Sequence, residues 1–212
     1  MNATTLLLTP EHKLRAPWRL LFFIAVLLAA LVVAGGIESA IEGFEAAKGY
    51  VPLVSNWGIS LGTLIATGVM LKWVEGNGWS YVWLGKDALA TPRLVQGTLW
   101  GLLAIAVPSL ILLAAHELSS ISTAPGSWSW AATLSFANLL PAAFGEELLL
   151  RGYVFAVLKE SIGWRWTLIA TSIVFGLLHV PNPGSDPQFI GIVMLAGFFL
   201  GSILLATRSL YA

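Results

Sequence analysis

Long apolar runs with hardly a charge inside them constrain this chain more than any other feature. The stretches 17–36, 53–74, 94–115, 129–158, 165–180 and 188–207 are predominantly apolar, and roughly 20 such residues cross a bilayer as a helix. Of 212 residues, 57% are hydrophobic and 10% charged, against about 25% charged in a soluble domain. The chain therefore has lipid for its solvent. Lipid offers no partner to backbone N–H and C=O groups, which leaves helices or a closed barrel. The runs are continuous rather than alternating, so the expectation is an all-α, polytopic transmembrane helix bundle of about six spans. Pro141 and Gly145 suggest that the long fourth span is broken or kinked, and Pro181 ends the short fifth. Without internal repeats or low-complexity tracts, residues 1–212 read as a single membrane domain.

Composition also excludes. The chain has no cysteine, so neither a disulfide framework nor a thiolate metal site is available. Net charge is zero, and nothing points to nucleic acid as a partner. Lys13, Arg15 and Arg19 precede an apolar run, Leu20 to Val33, that fits a first membrane helix better than a cleavable signal, although Ala34-Gly35-Gly36 supplies small residues. Lys72, Lys86 and Arg93 lie between spans two and three, Lys159 and Arg165 between four and five, and Arg208 after six. The opposite loops hold Lys48 beside Glu38, Glu42 and Glu45. By the positive-inside rule both termini are expected in the cytoplasm, with the chain in a bacterial inner or plasma membrane. Glu75–Arg93, with Trp79 and Trp83, suits an interfacial loop or surface helix.

Three charges interrupt the apolar segment from Ala131 to Leu158: Glu146, Glu147 and Arg151. A charge near the bilayer centre costs roughly 2.5–3.5 kcal/mol on insertion scales, so these should face the protein interior. Glu147 and Arg151 are four apart and share a helix face. They could neutralise each other as a purely structural bridge, or support a site. Glu146 points about 100° away and needs another reason to be there: a general base in a partly dry pocket, or a protonated carboxyl bonded to a neighbouring helix.

Depth brings His179 into the same picture. Glu146 lies 13 residues before Lys159, about 20 Å along a helix. His179 lies 14 residues beyond Arg165, about 21 Å. A Glu–His pair can polarise water directly, or hold it through a metal such as zinc with Glu146 and His179 among the ligands. There is no HExxH, and His12 and His116 have no site-like setting, so a complete zinc site cannot be written. A divalent metal and a metal-free mechanism both stand. Asn182-Pro183 could shape the loop over His179, or be an ordinary turn. Gly197 and Gly201 form a GxxxG that allows close helix packing.

Glu146-Glu147-xxx-Arg151 followed by Phe175-xxx-His179 resembles the first two motifs of the CPBP family, the CAAX-type intramembrane endopeptidases and the bacteriocin-processing or Abi proteins. The resemblance covers roughly 130–212 and implies a CAAX-protease-like catalytic core in 131–212. It further implies that Glu146 activates water, that His179 helps to position it, that Glu147 and Arg151 brace the site, and that Phe175 packs beneath His179. The implied reaction is hydrolysis of a peptide bond in a membrane-associated, lipidated or small secreted peptide. The implied partners are that peptide and the bilayer. The family is often labelled metalloprotease, while a metal-free glutamate mechanism is also argued for it. Its members usually carry a further helix after a stretch like Thr207-Arg208-Ser209-Leu210, with an HxxxN motif whose residues stabilise the oxyanion. This sequence reaches Tyr211-Ala212 without an HxxxN. Two expectations follow: a truncated peptidase, or a non-catalytic immunity or scaffolding protein that keeps the fold. A small transporter ranks behind both, because spans one and six hold almost no polar residues.

Overall fold

The computed structural model describes residues 7–10, 13–117 and 127–212; His12 lies outside them. Six α-helices carry the fold: α1 Ala16–Glu42, α2 Val51–Met70, α3 Thr91–Ala114, α4 Ser127–Glu147, α5 Val154–Leu178 and α6 Pro187–Thr207. Four of them begin with proline in the first turn, at Pro17, Pro52, Pro92 and Pro187, where its missing N–H would have had no intrahelical partner. Asp186 caps α6 by accepting from the Phe189 N–H at 2.7 Å. The segment after α2 is a π-helical turn, Leu71–Glu75, then a loop with two 3₁₀ turns, Trp79–Val82 and Lys86–Leu89. It is thus a loop, and no α-helix occurs in it before Thr91.

Five helical stretches are long and apolar enough to cross a membrane: Ala16–Glu42, Val51–Glu75, Thr91–Ala114, Trp128–Leu178 and Pro187–Thr207. The fourth is 51 residues long because the fourth and fifth spans form one run that doubles back at Gly163. That glycine sits at φ 78°, ψ 161°, a conformation almost closed to other residues. The break expected near Pro141 and Gly145 is not there, since α4 runs through both. α2 packs on this stretch: Asn56 Nδ2 donates to the Asn138 carbonyl at 3.1 Å, and Ser60 Oγ donates to the Pro141 carbonyl. Gly145 serves that contact, because a Cβ there would fall 2.8 Å from Ser60 Oγ. The irregular backbone comes later, in the π-helical turn Leu148–Tyr153, where Gly152 is non-helical.

The core joins α1, α2, the loop and α5 through Phe23, Leu27, Met70, Val82, Leu148, Tyr153 and Val157. Phe23 and Tyr153 stack with ring centroids 5.2 Å apart. Buried Thr63, Thr171, Ser172 and Thr207 donate to carbonyls of their own helices, satisfying polar groups without an outside partner. Outward faces carry exposed large apolar side chains such as Val32, Ile105 and Leu195, a surface suited to lipid.

Cations collect at one end of the bundle. Arg19, expected as a flanking charge, is buried in the first turns of α1. Its guanidinium donates to Glu75 at 2.7 Å, Glu160 at 2.9 Å and the Tyr81 hydroxyl at 2.5 Å. Tyr153 donates to the same Glu75 oxygen at 2.5 Å. Burial, together with the Glu160 carboxylate, pushes the Tyr81 phenol above its ordinary pKa, so it stays protonated at neutral pH. This cluster ties the start of α1, the end of the π turn after α2 and the Gly163 reversal to one end. Arg93, at the start of α3, donates to the Arg208 carbonyl after α6 at 3.2 Å and brings both segments there.

Candidate active site

The reversal at Gly163 lays the second arm of α5 back beside the π-helical turn Leu148–Tyr153 that follows α4, so residues far apart in sequence meet. Glu146 Oε2 and His179 Nε2 are 4.0 Å apart. They share a cavity of about 110 Å³ with Leu149, Leu150, Phe175, Leu178 and Asn182, room enough for ordered water. Glu146 is half-exposed within it and His179 largely covered. The His179 ring packs on Phe175 with centroids 4.8 Å apart, and its Nδ1 lies 2.7 Å from the Phe175 carbonyl oxygen. A carbonyl only accepts, so Nδ1 carries a proton, and in the neutral ring Nε2 is then an acceptor on the side of Glu146. Two acceptors 4.0 Å apart suit one water that donates to both: at about 2.8 Å from each it would subtend roughly 90°.

Asn182 completes the lining. Pro181 and Pro183 flank it, its N–H donates to the His179 carbonyl at 3.1 Å, and its own carbonyl accepts from the Ser185 N–H and hydroxyl. Its side-chain amide makes no hydrogen bond among the described residues, which leaves two N–H donors at the cavity wall.

Glu147 and Arg151 lie behind this cavity. Arg151 pairs with Glu147, donates to the Gly197 carbonyl at 2.9 Å and lies 4.7 Å over the Phe175 ring. Gly197 is needed for this: a Cβ there would meet Phe175 Cδ1 at 3.2 Å and Ser172 Cα at 3.2 Å. Arg151 thus links the π-helical turn, α6 and the ring under His179. The five residues singled out in the sequence, Glu146, Glu147, Arg151, Phe175 and His179, are in one neighbourhood. Sequence reasoning missed the Gly197 carbonyl, although the GxxxG marked the right helix face. His116 lies at the far end of α3, exposed and at φ 60°.

A zinc ion in a catalytic site takes three protein ligands. Glu146 and His179 provide two, and no group of three His, Cys, Asp or Glu able to hold a metal occurs among the described residues. The donor set does not complete a zinc site.

Fold and site define a polytopic helical membrane protein with a carboxylate and an imidazole facing one intramembrane cavity. Residues 126–212, a stretch that contains all five site residues, match the model of the family described as Type II CAAX prenyl endopeptidase Rce1-like. No curated protein and no solved structure matches the chain.

Proposed function

We propose that the chain hydrolyses a peptide bond at the membrane with water activated by Glu146. The observation that carries this reading is the 4.0 Å approach of Glu146 to an acceptor nitrogen of His179 above a cavity that also holds the unbonded Asn182 amide. In this mechanism water donates one hydrogen bond to Glu146 and one to His179. Its oxygen attacks the peptide carbonyl carbon as Glu146 takes a proton. The carbonyl oxygen becomes an oxyanion, and an Asn182 N–H donates to it. Glu146 then returns the proton to the leaving amine as the C–N bond breaks. Glu147, Arg151 and Phe175 hold the π-helical turn and the imidazole in register.

The substrate is a membrane-associated peptide, lipidated or small and secreted. With its cationic end in the cytoplasm the chain has both termini there, as the placement of Arg19, Lys159 and Arg208 favours. The test is reconstitution of the chain in liposomes with a pooled library of lipidated and unlipidated membrane peptides, the new termini being read by mass spectrometry. Cleavage lost on Glu146→Gln is the expected result. Equal cleavage by both proteins would remove Glu146 from the mechanism, and none by the wild type would favour a non-catalytic membrane partner.

A further inference from the structure

At the cationic end, a helix length from Glu146, Trp83, Lys159, Trp164, Leu205 and Arg208 line an open cavity of about 450 Å³. Lys159 Nζ lies 4.2 Å over the Trp83 ring, and Arg165 Cζ lies 5.2 Å over that of Trp164. Among the described residues no carboxylate comes within ion-pair distance of Lys159 or Arg208, and Glu160 beside Lys159 is engaged by Arg19. An adjoining cavity shares Trp83 and Arg208 and adds Arg93 against a single carboxylate, Asp87. The two cavities together hold an excess of cations without a protein counter-ion.

The wall is built and held. Trp83 and Arg208 both have left-handed backbone, φ 56° and 52°, a conformation that side-chain-bearing residues avoid unless their surroundings impose it. Four bonds impose it here. Leu210 N–H donates to the Trp83 carbonyl at 3.1 Å, and Arg93 donates to that of Arg208 at 3.2 Å. Ser209 Oγ donates to the Ala88 carbonyl at 2.7 Å, and the Tyr211 hydroxyl to that of Leu84 at 3.1 Å. Strained backbone at two facing positions aims an indole and a guanidinium into one space.

We propose that this cavity binds the phosphate of an anionic phospholipid. Lys159 and Arg208 would contact the phosphate oxygens, as cations do most strongly when the acceptor is ionised. Trp83 and Trp164 are the residue type that sits at headgroup depth, and Leu205 on α6 offers an apolar surface to an acyl chain. These features favour a lipid over a free phosphate, which would have no use for the apolar wall. The lipid would bridge the loop before α3, the Gly163 reversal and the segment after α6.

The test uses the full chain in detergent, with retained lipid counted by native mass spectrometry after titration with phosphatidylglycerol, phosphatidylcholine or inorganic phosphate. The wild type is expected to retain phosphatidylglycerol preferentially. Lys159→Gln/Arg208→Gln should weaken retention about tenfold or more, since each cation near an anionic headgroup contributes on the order of 1 kcal/mol. Lys72→Gln/Lys86→Gln, which removes two cations outside the cavity, should leave it unchanged. Equal loss in both double variants would reduce the effect to general surface charge and overturn the site. Equal retention of phosphatidylcholine, or binding of inorganic phosphate without lipid, would overturn the assignment to an anionic lipid. Should Lys159→Gln/Arg208→Gln not fold, Trp164→Ala gives the same reading through the apolar wall: lowered retention supports the site and unchanged retention overturns it.

Discussion

His179 Nδ1 lies 2.7 Å from the carbonyl oxygen of Phe175, one turn earlier, and that bond assigns the work of the other ring nitrogen. In the neutral ring with its proton on Nδ1, Nε2 is an acceptor facing Glu146, and in the proposed reaction the two act on one water. Glu146→Gln is expected to lower kcat about 10²–10⁴-fold, and His179→Ala to lower it as well. Because they share that water, the double variant should be hardly slower than the worse single one. Steady-state kinetics in liposomes checks this; multiplicative losses would separate the two residues.

Arg151 is almost fully buried, and its partners are Glu147, the Gly197 carbonyl and the Phe175 ring. Arg151→Gln takes the counter-ion from the partly covered Glu147 and is expected to destabilise by up to about 3–5 kcal/mol, the range for breaking a buried pair. Glu147→Gln/Arg151→Gln removes both charges and should be less destabilised than Arg151→Gln alone. Denaturant unfolding of the wild type and the two variants decides between a structural bridge and a support of the site. Unchanged stability with lost turnover would mean that the pair serves the chemistry alone.

Asn182→Asp retains a side chain suited to turns but lacks the N–H donors. Both Asn182→Asp and Asn182→Ala are expected to lower kcat about 10²–10³-fold with little change in KM. Near-normal turnover by Asn182→Asp would make the residue a turn former only.

Gly163→Ala forces a side chain onto φ 78°, ψ 161°, at a cost of about 1–3 kcal/mol. Gly35→Ala, within α1 and with no atom near the added methyl, is expected to be neutral or slightly stabilising by up to about 1 kcal/mol. Thermal unfolding of the two variants side by side is the check, and an equal response would contradict the strained reversal.

Most of the helical bundle could be read from the sequence because its signals are local. Most span ends fall within a few residues of those expected, since apolar runs and initial prolines mark them; the exceptions are α1, which runs on to Glu42, and the junction of the fourth and fifth spans, where α4 ends at Glu147 and α5 begins at Val154. Glu147–Arg151 could be read because helical geometry puts residues four apart on one face, and the depth of Glu146 and His179 because rise per residue is constant. Arg19 could not be placed this way: its partners lie 56 and 141 residues away, and no periodicity connects them. The position of the break also escaped, since α4 continues through Pro141 and the irregular backbone falls at Gly152 and Gly163, which sit in unremarkable sequence.

The grip of Arg19 on Glu75 and Glu160 has a bearing on biogenesis. A nascent chain that has made α1 and α2 can already join Arg19 to Glu75. Its second carboxylate is missing until translation passes residue 160, when the turn at Gly163 is also about to emerge. α1, made before the other described helices, is therefore latched late, and its final seat waits on the segment that carries the candidate site.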